Sequence, residues 1–337
     1  MSHIMSPTFP TVRLRRLRQH PVIRDLIRET ELNLDDLVHA IFIKGDKGDK
    51  QPVLSMPGHY QIPLSKLDEE IEEIVNLGIK SIMIFGVPST KDAYGSDSFD
   101  DQGIMQKAIR QIKKLAPDLL IISDICFCQY TDHGHCGFMD DHHGCIDLNN
   151  DKTLELLVKQ SISHVQAGAN MLAPSGMIDG AVITLRRALD EAGFEHIPLM
   201  GHTVKYSSAM YGPFRQATEG APKYGDRSRY QMDPANGNEA LREAAVDIME
   251  GADILLIKPA HTYLDIIYRV KQTYPHIPLC AYHPSAEFSM IKAAAEKGWI
   301  NEKRVVFEVL TSIKRAGADF IVNYYTKEVA RWIINKE

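Results

Sequence analysis

Short runs of apolar, largely β-branched residues alternate along this chain with longer stretches whose apolar positions recur every three or four residues. The runs are LVHAIFI (37–43), KSIMIFG (80–86), LLIISDIC (119–126), NMLAPS (170–175), IPLMGHTV (197–204), ADILLIKP (252–259), IPLCAYH (277–283) and ADFIVNYY (318–325). Their near-continuous apolar character predicts strands buried on both faces, as in a parallel sheet covered by helices. Segments 67–78, 153–168, 181–193, 239–251 and 305–317 supply helices, and several end in a glycine able to cap the C-terminus in the left-handed region. Eight such units predict a (β/α)8 TIM barrel over residues 36–337, with a doubly wound open sheet as the alternative. Residues 1–35 are rich in proline and arginine and lack a strong apolar period. They predict an extended N-terminal arm that packs on another subunit.

In a barrel the chemistry belongs where the strands end. Asp124 closes the third run and Ser175 the fourth; Lys205 follows the fifth, Lys258 the sixth, Ser285 the seventh, and Tyr324 closes the eighth. Loops 127–151 and 206–237 are unusually long, which in a compact domain points to function. KGDKGDK (44–50) reads as a solvated loop.

Composition narrows the class. With 44% hydrophobic and 24% charged residues among 337, the chain is an ordinary globular one and too apolar for disorder. No stretch approaches the roughly 18 uncharged apolar residues of a membrane span. The opening MSHIMSPTFPTVRLRRLRQHP has no apolar core of a secretory signal, so a cytoplasmic location is expected. The net charge of −6 argues against general nucleic-acid binding, and the cluster Arg13, Arg15, Arg16 and Arg18 is local. Five cysteines in such a chain do not make a disulfide framework, but Cys126, Cys128, Cys136 and Cys145 crowd into one segment, which suggests a metal or a reactive thiol.

Three patterns carry chemistry. DICFCQYTDHGHCG (124–137) presents Cys126, Cys128 and Cys136 as C-x-C-x7-C beside Asp124. Three thiolates can hold a soft divalent ion with the fourth tetrahedral position open, a catalytic rather than a structural arrangement. Ordinary buried cysteines are the plain alternative, and His133, His135, His142 or His143 could be a fourth ligand. Lys258 ends the apolar ILLIK, where desolvation would lower its pKa and free an amine for Schiff-base formation. A lysine reaching solvent fits the local sequence as well. Lys205 sits similarly after the preceding strand, so the two amines would lie within several ångströms at the mouth. Arg215 in YGPFR and Arg227 in GDRSRYQM offer forks for a carboxylate, with Tyr230 and Gln231 as further donors.

Together these motifs resemble the porphobilinogen synthase (5-aminolevulinate dehydratase) family from about residue 10 to 335. SMPG (55–58), FGVP (85–88), the cysteine segment, YGPFR, GDRSRYQM and RAGAD (315–319) are all similar to it. The resemblance implies a barrel with an embracing arm, commonly in a homo-octamer. Its activity would be condensation of two 5-aminolevulinate molecules to porphobilinogen with loss of two waters, in tetrapyrrole (heme) biosynthesis. It implies Schiff bases on Lys258 and Lys205, catalytic zinc on Cys126, Cys128 and Cys136, and proton transfers assisted by Asp124 and Ser175. Arg215, Arg227 and Gln231 would hold one substrate carboxylate, Ser285 and Tyr324 the other, and Glu243 would match a bacterial magnesium site.

The chain departs from that pattern at GHTV (201–204), at HPSAEF (283–288), and at Gly176, Ala181 and Gln61, where acidic, arginine and arginine residues are common. Pro284 removes an amide donor and stiffens its turn. These departures keep open a divergent Schiff-base aldolase or dehydratase for another keto acid. A non-catalytic zinc-holding oligomer is a third reading, but it would give no reason for two lysines at strand ends.

Overall fold

Each of the eight apolar runs forms a parallel strand in the computed structural model, which describes residues 9–45, 48–142 and 145–334. The strands are β1 Leu37–Lys44, β2 Ser81–Val87, β3 Leu120–Ile125, β4 Met171–Pro174, β5 Met200–Lys205, β6 Ile254–Lys258, β7 Leu279–Tyr282 and β8 Phe320–Asn323. Their order is β4-β3-β2-β1-β8-β7-β6-β5. Between the two ends a parallel bridge joins Leu172 to Leu199, and the Leu172 N–H donates to the Pro198 carbonyl at 3.2 Å. That bridge turns the sheet into a ring, so the barrel holds and the open sheet does not.

Around it lie α1 Leu67–Asn76, α2 Ile104–Leu115, α3 Asn150–Ala167, α4 Ala181–Glu191, α5 Glu239–Glu250, α6 Leu264–Thr273, α7 Glu302–Ala316 and α8 Thr326–Ile334. Caps set the ends. The Asn149 side chain accepts from the Lys152 N–H, so α3 begins three residues before the apolar pattern does. Gly168, at φ 114°, stops it in a conformation that side chains rarely adopt. The strands bury almost every side chain, and each fully buried Ile or Leu contributes about 1.5–3 kcal/mol.

The long loops carry structure of their own. Residues 127–151 contain an antiparallel hairpin, Met139–His142 with Cys145–Leu148, and 206–237 contain a helix, Gly212–Ala217. A further helix, Ser285–Glu296, precedes α7. In the 44–50 segment, Lys50 bonds Glu70 at 2.5 Å and is therefore not simply solvated; residues 46 and 47 lie outside the described ones. Residues 9–35 form a short 3-10 turn, Leu14–Arg18, and a helix, Pro21–Leu26, and neither buries a residue. Leu14 and Leu26 are 68% and 79% exposed. Among the described residues no helix is long and apolar enough to cross a membrane.

Candidate active site

β5 and β6 pair so that Lys205 stands directly opposite Lys258, each the last residue of its strand. Both are buried. The Lys205 Nζ donates to the Ser175 carbonyl at 2.5 Å. The Lys258 Nζ lies 3.7 Å from the centre of the Tyr282 ring, with the Phe214 and Tyr211 rings at 4.8 and 5.2 Å. Burial is the main reason the Lys258 amine falls to about 7; the Lys205 charge pushes the same way and Asp124 opposes it.

The walls of that pocket come from elements distant in sequence. Phe214, on the helix of the 206–237 segment, folds back over the barrel mouth. It meets Phe85 edge-on at 5.1 Å and Phe42 at 5.9 Å. The Tyr282 and Tyr324 hydroxyls share a 2.8 Å hydrogen bond. Tyr324 is held from behind by the His59 ring, whose Nε2–H donates to its carbonyl at 3.0 Å. Tyr211, Phe214, Tyr282 and His59 escape sequence reasoning: Tyr282 reads as core within its apolar run, and the other three lie in loops whose place over the barrel mouth the sequence does not show. Only their places beside lysine-bearing strand ends could have singled them out.

Asp124, near the end of β3, is buried, and the Gln129 side-chain amide donates to it at 2.8 Å. Burial raises its pKa, while hydrogen bonds from Ser175 and Gln129 and the two lysine charges pull it back. A carboxyl balanced in this way can give or take a proton. Ser175 itself is fixed by its N–H, which donates to the Ile125 carbonyl at 3.0 Å.

Cys126, Cys128 and Cys136 are buried together, with their sulfurs all within 4.8 Å of one another. Cys126 and Cys128 are 3.6 Å apart, well beyond a disulfide bond. Hydrogen bonds from Cys126 and Cys128 hold the Cys136 thiol well below its usual pKa, with Arg227 and Lys205 helping. A tetrahedral ion with metal–sulfur distances of about 2.3 Å would fit between three sulfurs so spaced. The neighbouring imidazoles are engaged elsewhere. His135 bonds the Tyr230 hydroxyl and the Tyr224 carbonyl at 3.0 and 2.9 Å. His133 bonds the Ala93 carbonyl at 3.3 Å and accepts from the His135 N–H at 3.1 Å. Neither of these two is turned toward the three sulfurs by its hydrogen bonds; the His142 side chain and His143 lie outside the described residues. Gly134, at φ 75°, lets this loop approach closely, since a Cβ there would stand 2.2 Å from the Ala221 carbonyl.

That close approach brings in Arg227, whose guanidinium donates to the Gly134 and Gly220 carbonyls at 3.0 and 2.7 Å. The Nε atoms of Arg215 and Arg227 and the whole amide of Gln231 are buried without partners. Dry, unsatisfied donors suit an incoming carboxylate. The Ser285 Oγ accepts from the Phe214 N–H at 2.8 Å, which ties its helix to the same lid.

Glu243 is not brought to the lysines. It lines a crevice of about 790 Å³ on the barrel flank, together with Asp247, Asp179 and Glu239. The departures Gly176, Ala181, Gly201, His202 and Thr203 line the same crevice. They are linked physically: a Cβ at Gly201 would stand 2.7 Å from Asp247, and the Thr203 side chain hydrogen-bonds that carboxylate. Gln61 instead ties its strand to the Ala217 carbonyl at 2.8 Å.

Residues 11–332 match the family model of delta-aminolevulinic acid dehydratase. The chain belongs to the delta-aminolevulinic acid dehydratase family. It is 53% identical over 321 residues to the delta-aminolevulinic acid dehydratase of Halalkalibacterium halodurans, covering 95% of this chain and 96% of that one. It is 50% identical over 325 residues to that of Synechococcus elongatus, covering 96% and 99%. The crystal structure of the Toxoplasma gondii dehydratase in complex with the reaction product porphobilinogen superposes with a TM-score of 0.93 at 38% identity, covering 97% of this chain and 92% of that one. The family read from the motifs is thus the family found, and the dehydratase barrel is the barrel seen.

Proposed function

We propose that this chain is a porphobilinogen synthase, which joins two 5-aminolevulinate molecules into porphobilinogen with release of two waters. One observation carries the reading: two buried lysines stand opposite one another at the ends of adjacent strands, beside three clustered thiols. The Lys258 amine, half neutral near pH 7, adds to the ketone of one substrate, and an imine forms with loss of water. Lys205 does the same with the other. Each imine withdraws electrons from the adjacent carbon, whose proton Asp124, beside Ser175, is placed to accept. Arg215, Arg227 and Gln231 hold one substrate carboxylate, and Ser285 and Tyr324 the other. With both substrates fixed, the condensation becomes effectively intramolecular. Cys126, Cys128 and Cys136 would hold zinc, which when bound supplies Lewis-acid polarisation that eases loss of water.

The same reading extends outward. The exposed apolar residues of the 1–35 arm fit a contact with another copy in a homo-octamer, the barrel 36–337 being the catalytic unit. Glu243, raised to about 7 by burial and by its acidic neighbours, would be relieved by magnesium. A cytoplasmic location for tetrapyrrole synthesis agrees with thiols kept reduced.

The test is incubation with 5-aminolevulinate and detection of porphobilinogen with Ehrlich reagent, with and without a zinc chelator. A coloured product lost on chelation is expected. No product, together with borohydride trapping of a different keto acid on Lys258, would favour the divergent aldolase or dehydratase suggested by the residue 201–204 departures.

A further inference from the structure

Lys258 is followed by Pro259 and then by residues 260–262, which lead into α6. A buried carboxylate from another part of the chain grips that segment. Glu287, in the first turn of the helix Ser285–Glu296, is 0% exposed. Its oxygens accept from the His261 N–H at 2.9 and 3.1 Å and from the Thr262 N–H at 3.3 Å. The Ala260 N–H and the Thr262 hydroxyl donate to it as well. On the same turn, Ser285 accepts from the N–H of Phe214, whose ring covers the Lys258 amine. One helical turn therefore holds both the backbone that follows Lys258 and the aromatic lid above it.

Stability alone is poorly served by a carboxylate here, since burying one is costly. Burial pushes Glu287 to about 7 in spite of its donors. The nearest basic side chain, His283 at 3.8 Å, does not offset that cost, because burial keeps its imidazole neutral down to about pH 3. What the carboxylate does supply is several acceptor directions converging on three consecutive residues.

We propose that Glu287 is a positioning residue for Lys258: its carboxylate pins the 260–262 backbone and so holds the amine against the Tyr282 ring, where it meets the substrate ketone. The inference rests on the reading that Lys258 forms an imine. Holding a reacting group in place matters steeply, a displacement of about 1 Å costing on the order of 100-fold in rate.

The test uses the full chain with 5-aminolevulinate and cyanoborohydride. Adduct formation at Lys258 is followed by peptide mass, and kcat and KM are measured alongside, all per folded molecule. Glu287→Ala slows trapping and lowers kcat by about tenfold or more, with KM changed far less. Glu287→Gln, which keeps one acceptor oxygen for the His261 and Thr262 N–H groups, recovers part of both. Equal impairment in the two variants, or wild-type trapping in Glu287→Ala, overturns the positioning role. If Glu287→Ala does not fold, Thr262→Val carries the test: it removes one donor at an exposed position and slows trapping about twofold, and unchanged trapping overturns the proposal. A wild-type chain that traps nothing at Lys258 overturns the proposed function and this inference with it. Equal trapping in wild type and Glu287→Ala overturns this inference alone.

Discussion

The amine of Lys258 is the most consequential group in the molecule, and its chemistry can be read against pH. Burial beneath Tyr282 and Phe214 and the charge of Lys205 bring it from 10.5 to about 7. At pH 7 such an amine is about half neutral, whereas at its ordinary value roughly one in 3,000 would be. The pocket thus raises the nucleophilic fraction by a factor on the order of 1,000. The sign follows directly: only the neutral amine adds to a ketone, so reactivity rises with pH and levels off above the shifted value. The neutral fraction is about 9% at pH 6 and about 1% at pH 5, giving falls of about fivefold and fiftyfold from pH 7. The assay is the initial rate of cyanoborohydride-trapped 5-aminolevulinate at Lys258, resolved by peptide mass between pH 5 and 9. A sigmoid centred near 7 is expected. Lys205→Met, which removes one of the two depressing influences, should move the midpoint upward. A rate that does not change across this range, or a midpoint near 10, would refute the account of burial and paired charge.

Cys136→Ala should take bound zinc from about one per chain to near none by elemental analysis, while trapping at Lys258 persists. Asp247 is raised from 3.8 to about 6, chiefly by burial, so its charged form weighs against folding as pH climbs through that window. Asp247→Asn should therefore stabilise the fold at pH 8 by on the order of 1–3 kcal/mol and little at pH 4, as read from urea midpoints. Removing residues 1–30 should leave barrel unfolding nearly unchanged and shift the chain to smaller assemblies in sedimentation velocity, because the apolar side chains of the Leu14–Arg18 turn and the Pro21–Leu26 helix touch water in the single chain. Unaltered sedimentation would remove the arm from the assembly.

The sequence alone was enough for the eight strands, the barrel they close, the two lysines, the three clustered cysteines and the family. The reason is local: burial on both faces demands unbroken apolar runs, and lysines or cysteines in such surroundings stand out whatever the fold. It also located the long loops but not what they do. That Phe214 turns back onto Phe42 and Phe85, that Tyr282 covers Lys258, and that Glu287 grips residues 260–262 depends on how distant segments meet. The departures at 176, 181 and 201–203 likewise looked scattered until folding gathered them on one flank around Asp247. A side chain's neighbours across the barrel mouth leave no periodic trace in the chain. Burial can be read from one residue and those beside it, whereas a contact such as that of Phe214 with Ser285, 71 positions apart, exists only once the ring has closed.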